Sequence, residues 1–129
     1  MTDHKEDIQQ EKIIKNFGDI LLKESTIGQF DDGIGAFANR DFKNGEVVIK
    51  WHLKALSEVE YENLSGYEKL NFCHQRNGIL WLYPDPERHV NRYRNPNVAS
   101  NFEKQANIAL RDIKNGEELS IDEKTIEDF

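Results

Sequence analysis

The part of the sequence with the most potential for chemistry is a polar stretch, PERHVNRYRNPNVASNF, at residues 86–102. It contains three arginines and four asparagines, namely Asn91, Asn95, Asn97 and Asn101. Amide side chains both donate and accept hydrogen bonds, so a group of them around Pro96 could hold a polar ligand such as an adenine edge. The same residues are also typical of a solvated loop in which asparagines cap turns. Both interpretations stay open at this point.

A glycine pair upstream, Gly33 and Gly35, has the outline of a nucleotide-binding loop. In dinucleotide-binding folds such a loop leads into a helix whose N-terminus meets the pyrophosphate. Here the sequence continues as ANRDFKNGE, which is typical of a turn, so we exclude that type of site. The glycines instead indicate that the backbone approaches something closely, either a ligand or the next strand.

Nucleophilic and metal chemistry are disfavoured by the spacing of cysteine and histidine. The single cysteine, Cys73, adjoins His74, and neighbours in a helix point about 100° apart, so the two cannot pair as nucleophile and base. A chain with a single cysteine also cannot form an internal disulfide. The four histidines show no paired spacing of metal ligands, so we predict no metal site.

Length and charge limit the class of protein. The chain has 129 residues, enough for one domain, and its 24 acidic and 17 basic residues give a net charge of −7. This charge argues against direct nucleic-acid binding and suits a cationic partner. Residues 112–129 alone carry a charge of −5, as either a solvated tail or the edge of a site for a basic peptide. No apolar run suggests a membrane helix or signal peptide, so we expect a cytoplasmic protein.

From residue 19 onward the sequence is typical of short strands. Apolar runs of about five residues alternate with Gly, Asn and Asp, which predicts a mostly β fold with tight turns. In the middle, two serines are each followed three residues later by a glutamate, which is the pattern of a capping box. We therefore predict a helical insert with helices over 57–63 and 65–73.

The first residues follow a different pattern. Residues 4–17 place apolar side chains at roughly helical spacing, which predicts a short amphipathic helix. We accordingly divide the chain into an N-terminal helical extension, residues 1–18, and a main domain, residues 19–129.

Two segments of the chain are near copies of each other. Residues 38–46 read ANRDFKNGE and residues 109–117 read ALRDIKNGE, so seven of nine positions are identical at a separation of 71 residues. Each copy carries an Asn-Gly pair, a strong hairpin signal. Hairpin chemistry alone requires only that pair, so we interpret the copies as equivalent strand–turn–strand units rather than chance similarities.

Together these segments resemble the SET-domain family of protein lysine methyltransferases. GIGAFANRDFKNGEVV is similar to the family's first motif, RHVNRYRNPN to its middle motif R-[F/Y]-[I/V]-N-H-S-C-x-P-N, and ALRDIKNGEELSIDE to its last motif A-x-R-D-I-x-x-G-E-E-L-T-x-D-Y. The resemblance runs from Leu21 to Glu123 with the motifs in the family's order, and the helical insert LSEVEYENL resembles small bacterial members.

The resemblance implies a SET-like β-clip of small sheets in which the C-terminal segment passes under the middle motif as a pseudoknot. It also implies S-adenosyl-L-methionine as the cofactor and a lysine-containing basic protein or peptide as the substrate. The residues that it assigns to the cofactor are Gly33, Ile34, Gly35, Phe37, Arg88, Asn91, Arg92 and Phe129. A homodimer is compatible with a small fold that has exposed strand edges.

The sequence departs from the family where catalysis is expected. The closing tyrosine of the last motif is Glu123, and the middle motif has Arg92, Tyr93 and Arg94 in place of His, Ser and Cys. The resemblance also implies a narrow aromatic channel through which the substrate lysine enters from the face opposite the cofactor. Tyr83 or Tyr93 could line this channel, and a carboxylate at Glu123 could attract the lysine ammonium or accept its proton. The leading hypothesis is therefore a SET-type lysine methyltransferase. The alternative is a catalytically impaired SET-like module that acts by binding a cofactor or a protein.

Overall fold

The computed structural model describes residues 12–27 and 33–122, and these form mainly short strands. The strands of this part, in chain order, are β1 (Ile13–Asn16), β2 (Ile20–Glu24), β3 (Ile34–Ala38), β4 (Val47–Lys50), β5 (Lys54–Leu56), β6 (Cys73–Arg76), β7 (Ile79–Leu82), β8 (Asn91–Arg92), β9 (Val98–Asn101), β10 (Ala106–Ala109) and β11 (Ser120–Ile121). The helices are α1 (Glu58–Glu62), α2 (Gly66–Phe72) and a 3-10 helix (Glu87–His89). The predicted mostly β fold with a helical insert is confirmed.

The strands form four small sheets rather than one large sheet. Three are antiparallel and three-stranded, with β2 between β1 and β3, β10 between β4 and β9, and β7 between β5 and β6. The fourth is the parallel pair of β8 and β11. Parallel neighbours need a long connection, and here the chain between them contains β9 and β10. This architecture agrees with the expected clip of small sheets.

The core lies where these sheets face one another. Leu22 of β2 and Ala36 of β3 point into the core, since alternate residues of a strand share a face. Gly35 and Phe37 are the residues on either side of Ala36 in β3, so they lie on the opposite face of the strand. Among the described residues, the largest fully buried side chains are Phe42, Leu22, Ile113, Leu119, Val98 and Asn91. The asparagine in that set belongs to the candidate site described below.

Both predicted helices of the insert are confirmed, and each begins with the expected capping box. Ser57 Oγ accepts a hydrogen bond from the Glu60 amide at 3.1 Å, and Glu60 Oε1 accepts from the Ser57 amide at 2.9 Å. Ser65 and Glu68 make the same reciprocal pair at the start of α2. Among the described residues, neither helix has the length and apolar character needed to cross a membrane.

The predicted N-terminal helix over residues 4–17 is wrong for its last turn. Ile13–Asn16 form strand β1, which pairs antiparallel with β2. Ile13 and Ile14 are each 50% exposed, so these apolar residues do not form the buried face of a helix. Their backbone instead forms hydrogen bonds with the edge of β2. Residues 4–11 lie outside the described part of the chain. The division into an extension and a main domain stays a prediction.

The two repeated segments pack against each other around a local two-fold axis. The Phe42 amide donates to the Ile113 carbonyl, and the Ile113 amide donates to the Phe42 carbonyl, both at 2.8 Å. At the Asn-Gly turns, Gly45 and Gly116 adopt positive φ values of 88° and 97°. The equivalence predicted from the sequence is therefore a physical contact between the copies.

The turns of the two repeats are cross-linked in the same symmetric way. Asp112 Oδ1 accepts a hydrogen bond from the Asn44 amide at 2.9 Å, and Asp41 Oδ1 accepts from the Asn115 amide at 2.7 Å. Each repeat thus supplies an aspartate that caps the turn of the other. The residues that the copies share beyond Asn-Gly are explained in part by this exchange.

Candidate functional site

The last described strand runs beside the polar stretch that the sequence singles out. β11 pairs in parallel with β8, with Ser120 opposite Asn91 and Ile121 opposite Arg92. The Tyr93 amide extends the ladder by donating to the Ile121 carbonyl at 2.9 Å. The middle and last motifs are therefore in direct contact, and the crossing expected of a pseudoknot is confirmed.

The side chain of Asn97 stabilises this contact between the middle and last motifs through hydrogen bonds. Its Oδ1 accepts from the Ser120 amide at 2.8 Å, and its Nδ2 donates to the Glu118 carbonyl at 2.9 Å. The Asn97 amide also donates to the Ser120 carbonyl at 3.2 Å. Both ends of the side chain are used inside the protein, so Asn97 has a structural role.

Asn91 differs from Asn97 because one end of its amide is unused. Its Nδ2 lies 3.1 Å from Ser25 Oγ, 3.2 Å from the Ile34 carbonyl and 3.3 Å from Glu118 Oε2. Its Oδ1 is buried and has no hydrogen-bond partner among the described residues. A buried acceptor without a partner is costly, so this oxygen marks a place where a bound molecule would donate a hydrogen bond. The polar stretch thus contains both a structural asparagine, Asn97, and a candidate ligand contact, Asn91.

Glu118 is a candidate site residue that the sequence does not single out. Its carboxylate accepts hydrogen bonds from Ser25 Oγ at 2.7 Å, from the Thr26 amide at 2.6 Å and from Thr26 Oγ1 at 2.7 Å. A Cβ on Gly35 would lie only 2.9 Å from Glu118 Cδ and closer still to Oε2. The close approach predicted at Gly35 is therefore to a side chain of the last motif. At Gly33, where φ is +67°, a Cβ would meet nothing within 4 Å.

The other two predicted cofactor contacts of the first motif lie beside this cluster. Ile34 offers its carbonyl to Asn91 and packs its side chain against the core. Phe37 is buried, and its backbone forms an isolated antiparallel β-bridge with the backbone of Glu118. The Lys23 ammonium lies 4.4 Å from the centre of the Phe37 ring. The fold brings the first motif, Asn91 and Glu118 together, while contact of Ile34 and Phe37 with a cofactor stays a prediction.

Tyr83 lies in an aromatic cluster made of Trp51, His74, Tyr83 and Phe102. Its ring centre is 5.9 Å from that of Trp51 and 5.2 Å from that of His74, and Trp51 stands edge-on to Phe102 at 5.0 Å. Burial raises the pKa of Tyr83 far above its ordinary range, and the charge of Glu87 adds to the effect. The phenol therefore stays protonated and can act only through hydrogen bonds.

Arg92 lies close enough to His74 of the aromatic cluster to affect its pKa, whereas Tyr93 is exposed. Burial, and then the charge of Arg92, lowers the pKa of His74. Arg92 Nε is buried without a hydrogen-bond partner among the described residues. Tyr93 is 41% exposed. Of the predicted tyrosines, Tyr83 is thus the one in a semi-enclosed environment.

Arg88 is occupied by contacts within the protein. Its Nε donates to the Tyr83 carbonyl at 2.7 Å, and its guanidinium lies 4.4 Å from the centre of the Phe72 ring. The predicted cofactor role of Arg88 stays a prediction. Glu123 and Phe129, which complete the predicted site, lie outside the described residues.

A buried carboxylate next to the aromatic cluster was also missed. Glu87 Oε2 accepts a hydrogen bond from the His52 amide, whereas Oε1 has no hydrogen-bond partner among the described residues and lies 3.8 Å from His52 Nδ1. Burial raises the pKa of Glu87, while the His52 amide acts against that shift. In the sequence Glu87 is one of many glutamates, and nothing local indicates its burial.

The site combines a cluster of hydrogen-bonding groups with a neighbouring aromatic cluster. The first contains a buried acceptor, Asn91 Oδ1, that has no hydrogen-bond partner among the described residues. The second contains the Tyr83 phenol, whose pKa burial raises, and His74, whose pKa is lowered by burial and by the charge of Arg92. In the described part of the chain, no group of three or more His, Cys, Asp or Glu residues is placed to hold a metal ion. Such an arrangement suits a reaction that depends on orienting two molecules.

Comparison with protein families gives one clear match. The family model of the SET domain matches residues 33–122, which include the first and middle motifs and the last motif up to Asp122. No curated protein matches the sequence.

Solved structures with similar folds carry the same architecture on other chains. A Plasmodium falciparum protein described as a histone methyltransferase is 16% identical with a TM-score of 0.61, and the match covers 84% of this chain and 95% of that one. Polycomb repressive complex 2 of Chaetomium thermophilum, bound to S-adenosylmethionine, is 22% identical with a TM-score of 0.59. That match covers 80% of this chain and 15% of the other. At these identities the likeness establishes the fold.

Proposed function

Because this chain belongs to the SET-domain family, we propose that it is a protein lysine methyltransferase that uses S-adenosyl-L-methionine. The observation that carries the proposal is the unpartnered, buried Asn91 Oδ1. It lies where the first, middle and last motifs meet, since Asn91 contacts both Ile34 and Glu118.

The residues present fit the proposed cofactor. Its amino-acid end carries an ammonium group, which donates hydrogen bonds and needs a buried acceptor such as Asn91 Oδ1. The Glu118 carboxylate adds negative charge on the other side of the Asn91 amide, 3.3 Å from Nδ2, and among the described residues no atom would lie within 4 Å of a Cβ at Gly33. When bound, S-adenosyl-L-methionine supplies an electrophilic methyl group, whose bond to sulfur breaks as the bond to the lysine nitrogen forms.

The chain's own task is to present a neutral amine in the correct orientation. A lysine ammonium has an ordinary pKa near 10.4, so it must lose its proton before it can attack. Burial and a nearby positive charge both lower such a pKa, and both act on His74 in the aromatic cluster. The Tyr83 phenol, kept protonated by burial, would orient the amine through a hydrogen bond.

The proposed substrate is a lysine on a basic protein or peptide in the cytoplasm. A net charge of −7 favours encounter with cationic partners over nucleic acid. The Plasmodium falciparum relative is described as acting on histones, which are basic, and this supports a basic substrate here.

The alternative is a SET-like module that binds a cofactor or a protein without catalysis. It is favoured by Arg92, which occupies the family's histidine position and whose charge is felt at His74. A fixed cation at the aromatic cluster would repel an incoming lysine ammonium. The exposure of Tyr93 also leaves Tyr83 as the single enclosed tyrosine of the two predicted.

One experiment separates the two functions. The purified chain would be incubated with tritium-labelled S-adenosyl-L-methionine and with histone or ribosomal proteins, and cofactor binding would be measured in parallel by calorimetry. Binding together with label transfer supports the methyltransferase. Binding without transfer supports the alternative, and the absence of both refutes the cofactor assignment.

A further inference from the structure

We infer that Glu118 is a positioning residue that fixes the orientation of the Asn91 amide, so that the site selects molecules carrying an ammonium group. This inference rests on the proposed function, because it assumes that the proposed cofactor meets Asn91 through its amino-acid end. It assigns a specific role to a carboxylate of the last motif that touches neither reacting group.

The first step of the argument is the identity of the groups around Asn91 Nδ2. The Ile34 carbonyl at 3.2 Å and the Glu118 carboxylate at 3.3 Å can only accept hydrogen bonds. An amide that faces two acceptors must turn its NH2 group toward them. Its oxygen then points away from Glu118, which is where Asn91 Oδ1 stands buried and without a partner among the described residues.

The second step is that Glu118 itself cannot turn away. Three further donors hold its carboxylate, namely Ser25 Oγ, the Thr26 amide and Thr26 Oγ1, at 2.6 to 2.7 Å. Bonds from polar donors to a carboxylate are among the stronger hydrogen bonds in proteins. The orientation of Asn91 is therefore imposed by a group that is itself fixed.

The third step is the consequence for ligand selection. A buried acceptor oxygen without a partner, on an amide whose NH2 group faces a carboxylate, favours an ammonium and disfavours a carboxylate or an apolar group. The same adenosine compound without its amino-acid end would gain nothing from Asn91 or Glu118. Selection for the ammonium should thus depend on Glu118 although Glu118 lies behind the asparagine.

The test is the isosteric variant Glu118→Gln. Because the Thr26 amide can only donate, the oxygen of the substituted side chain must stay on Thr26, and its NH2 group then faces Asn91 Nδ2, donor against donor. We expect the affinity for S-adenosylhomocysteine to fall by tenfold or more. The affinity for 5′-methylthioadenosine, which lacks the ammonium, should stay within twofold. Glu117→Gln, a matched change in the neighbouring residue that pairs with Arg111, should alter neither value.

Equal losses for both compounds in Glu118→Gln would show a merely structural role and overturn the inference, as would no loss for either. A second readout needs no ligand, namely the hydrogen exchange of the Asn91 side-chain amide followed by NMR. We expect exchange to become at least tenfold faster in Glu118→Gln, and unchanged exchange would overturn the inference. If the unmodified protein bound neither compound, the proposed function would fail, while the exchange measurement would still decide the positioning of Asn91.

Discussion

The contact between Gly35 and Glu118 yields a quantitative prediction about the free energy of unfolding. A methyl group at residue 35 would lie 2.9 Å from Glu118 Cδ, so Gly35→Ala must displace the carboxylate. The displacement would break four hydrogen bonds, from Ser25 Oγ, the Thr26 amide, Thr26 Oγ1 and Asn91 Nδ2. At about 1 kcal/mol for each lost bond, Gly35→Ala should lower the free energy of unfolding by about 4 kcal/mol.

Glu118→Ala removes the same hydrogen bonds and should cost a similar amount. Once the carboxylate is gone, the nearest atom to the new methyl is Ser25 Cα at 3.2 Å, on a segment that Glu118 no longer holds. The double variant should therefore be destabilised by about 4 kcal/mol rather than about 8, which is a coupling energy of about 4 kcal/mol. Such losses leave a domain of ordinary stability folded.

The assay is urea unfolding followed by the fluorescence of the two tryptophans, of which Trp51 is buried. Gly33→Ala is the matched control, because Gly33 has positive φ but a Cβ there would have no described neighbour within 4 Å. It should cost about 1 kcal/mol in either background, from backbone conformation alone. Additive losses in the Gly35→Ala, Glu118→Ala double variant would refute the proposed contact.

Other contacts lead to three more predictions. Asn91→Ala should weaken S-adenosylhomocysteine binding more than tenfold while the far-ultraviolet circular dichroism is retained, and unchanged affinity in calorimetry would contradict the ligand assignment. Because burial raises the pKa of Glu87, its contribution to stability is present below its ordinary pKa and is lost as pH rises through the raised value. The Glu87→Gln variant should thus gain stability relative to the unmodified protein by up to about 1.4 kcal/mol per pH unit in that window, and parallel unfolding curves at all pH values would contradict this. Asp41→Ala and Asp112→Ala should each lower the free energy of unfolding by about 1 kcal/mol, since each removes one turn-capping hydrogen bond across the local two-fold axis. Clearly unequal losses in urea unfolding would argue against the symmetry.

The sequence predicts well those features that depend on short-range chemistry. The capping boxes at Ser57 and Ser65 place both helices to within a residue or so, because the side chains that start a helix lie next to it in the sequence. The repeated segments are visible as near-identical letters, and their Asn-Gly turns have the expected conformation. The order of the three motifs is sufficient to indicate the family.

Features that depend on distant partners are not accessible in the same way. Residues near Ile13 have helical spacing, but the edge of β2 decides that they form a strand. Glu118 is one of seven acidic residues in the last eighteen, and only the chain crossing brings it against Gly35 and Asn91. The burial of Glu87 beside His52 likewise follows from packing between segments that are 35 positions apart.

The parallel pairing of β8 with β11 has a consequence for biosynthesis. Asn91 leaves the ribosome well before Glu118 and Ser120, which complete its surroundings. At 5–20 residues per second, a nascent chain would spend about one to six seconds with the middle motif exposed and its asparagine still free to rotate. A premature stop anywhere in that interval would give a product that lacks β11 and Glu118, and with them the groups that surround Asn91. The surroundings of Asn91 therefore form in one late event, when β11 pairs with β8.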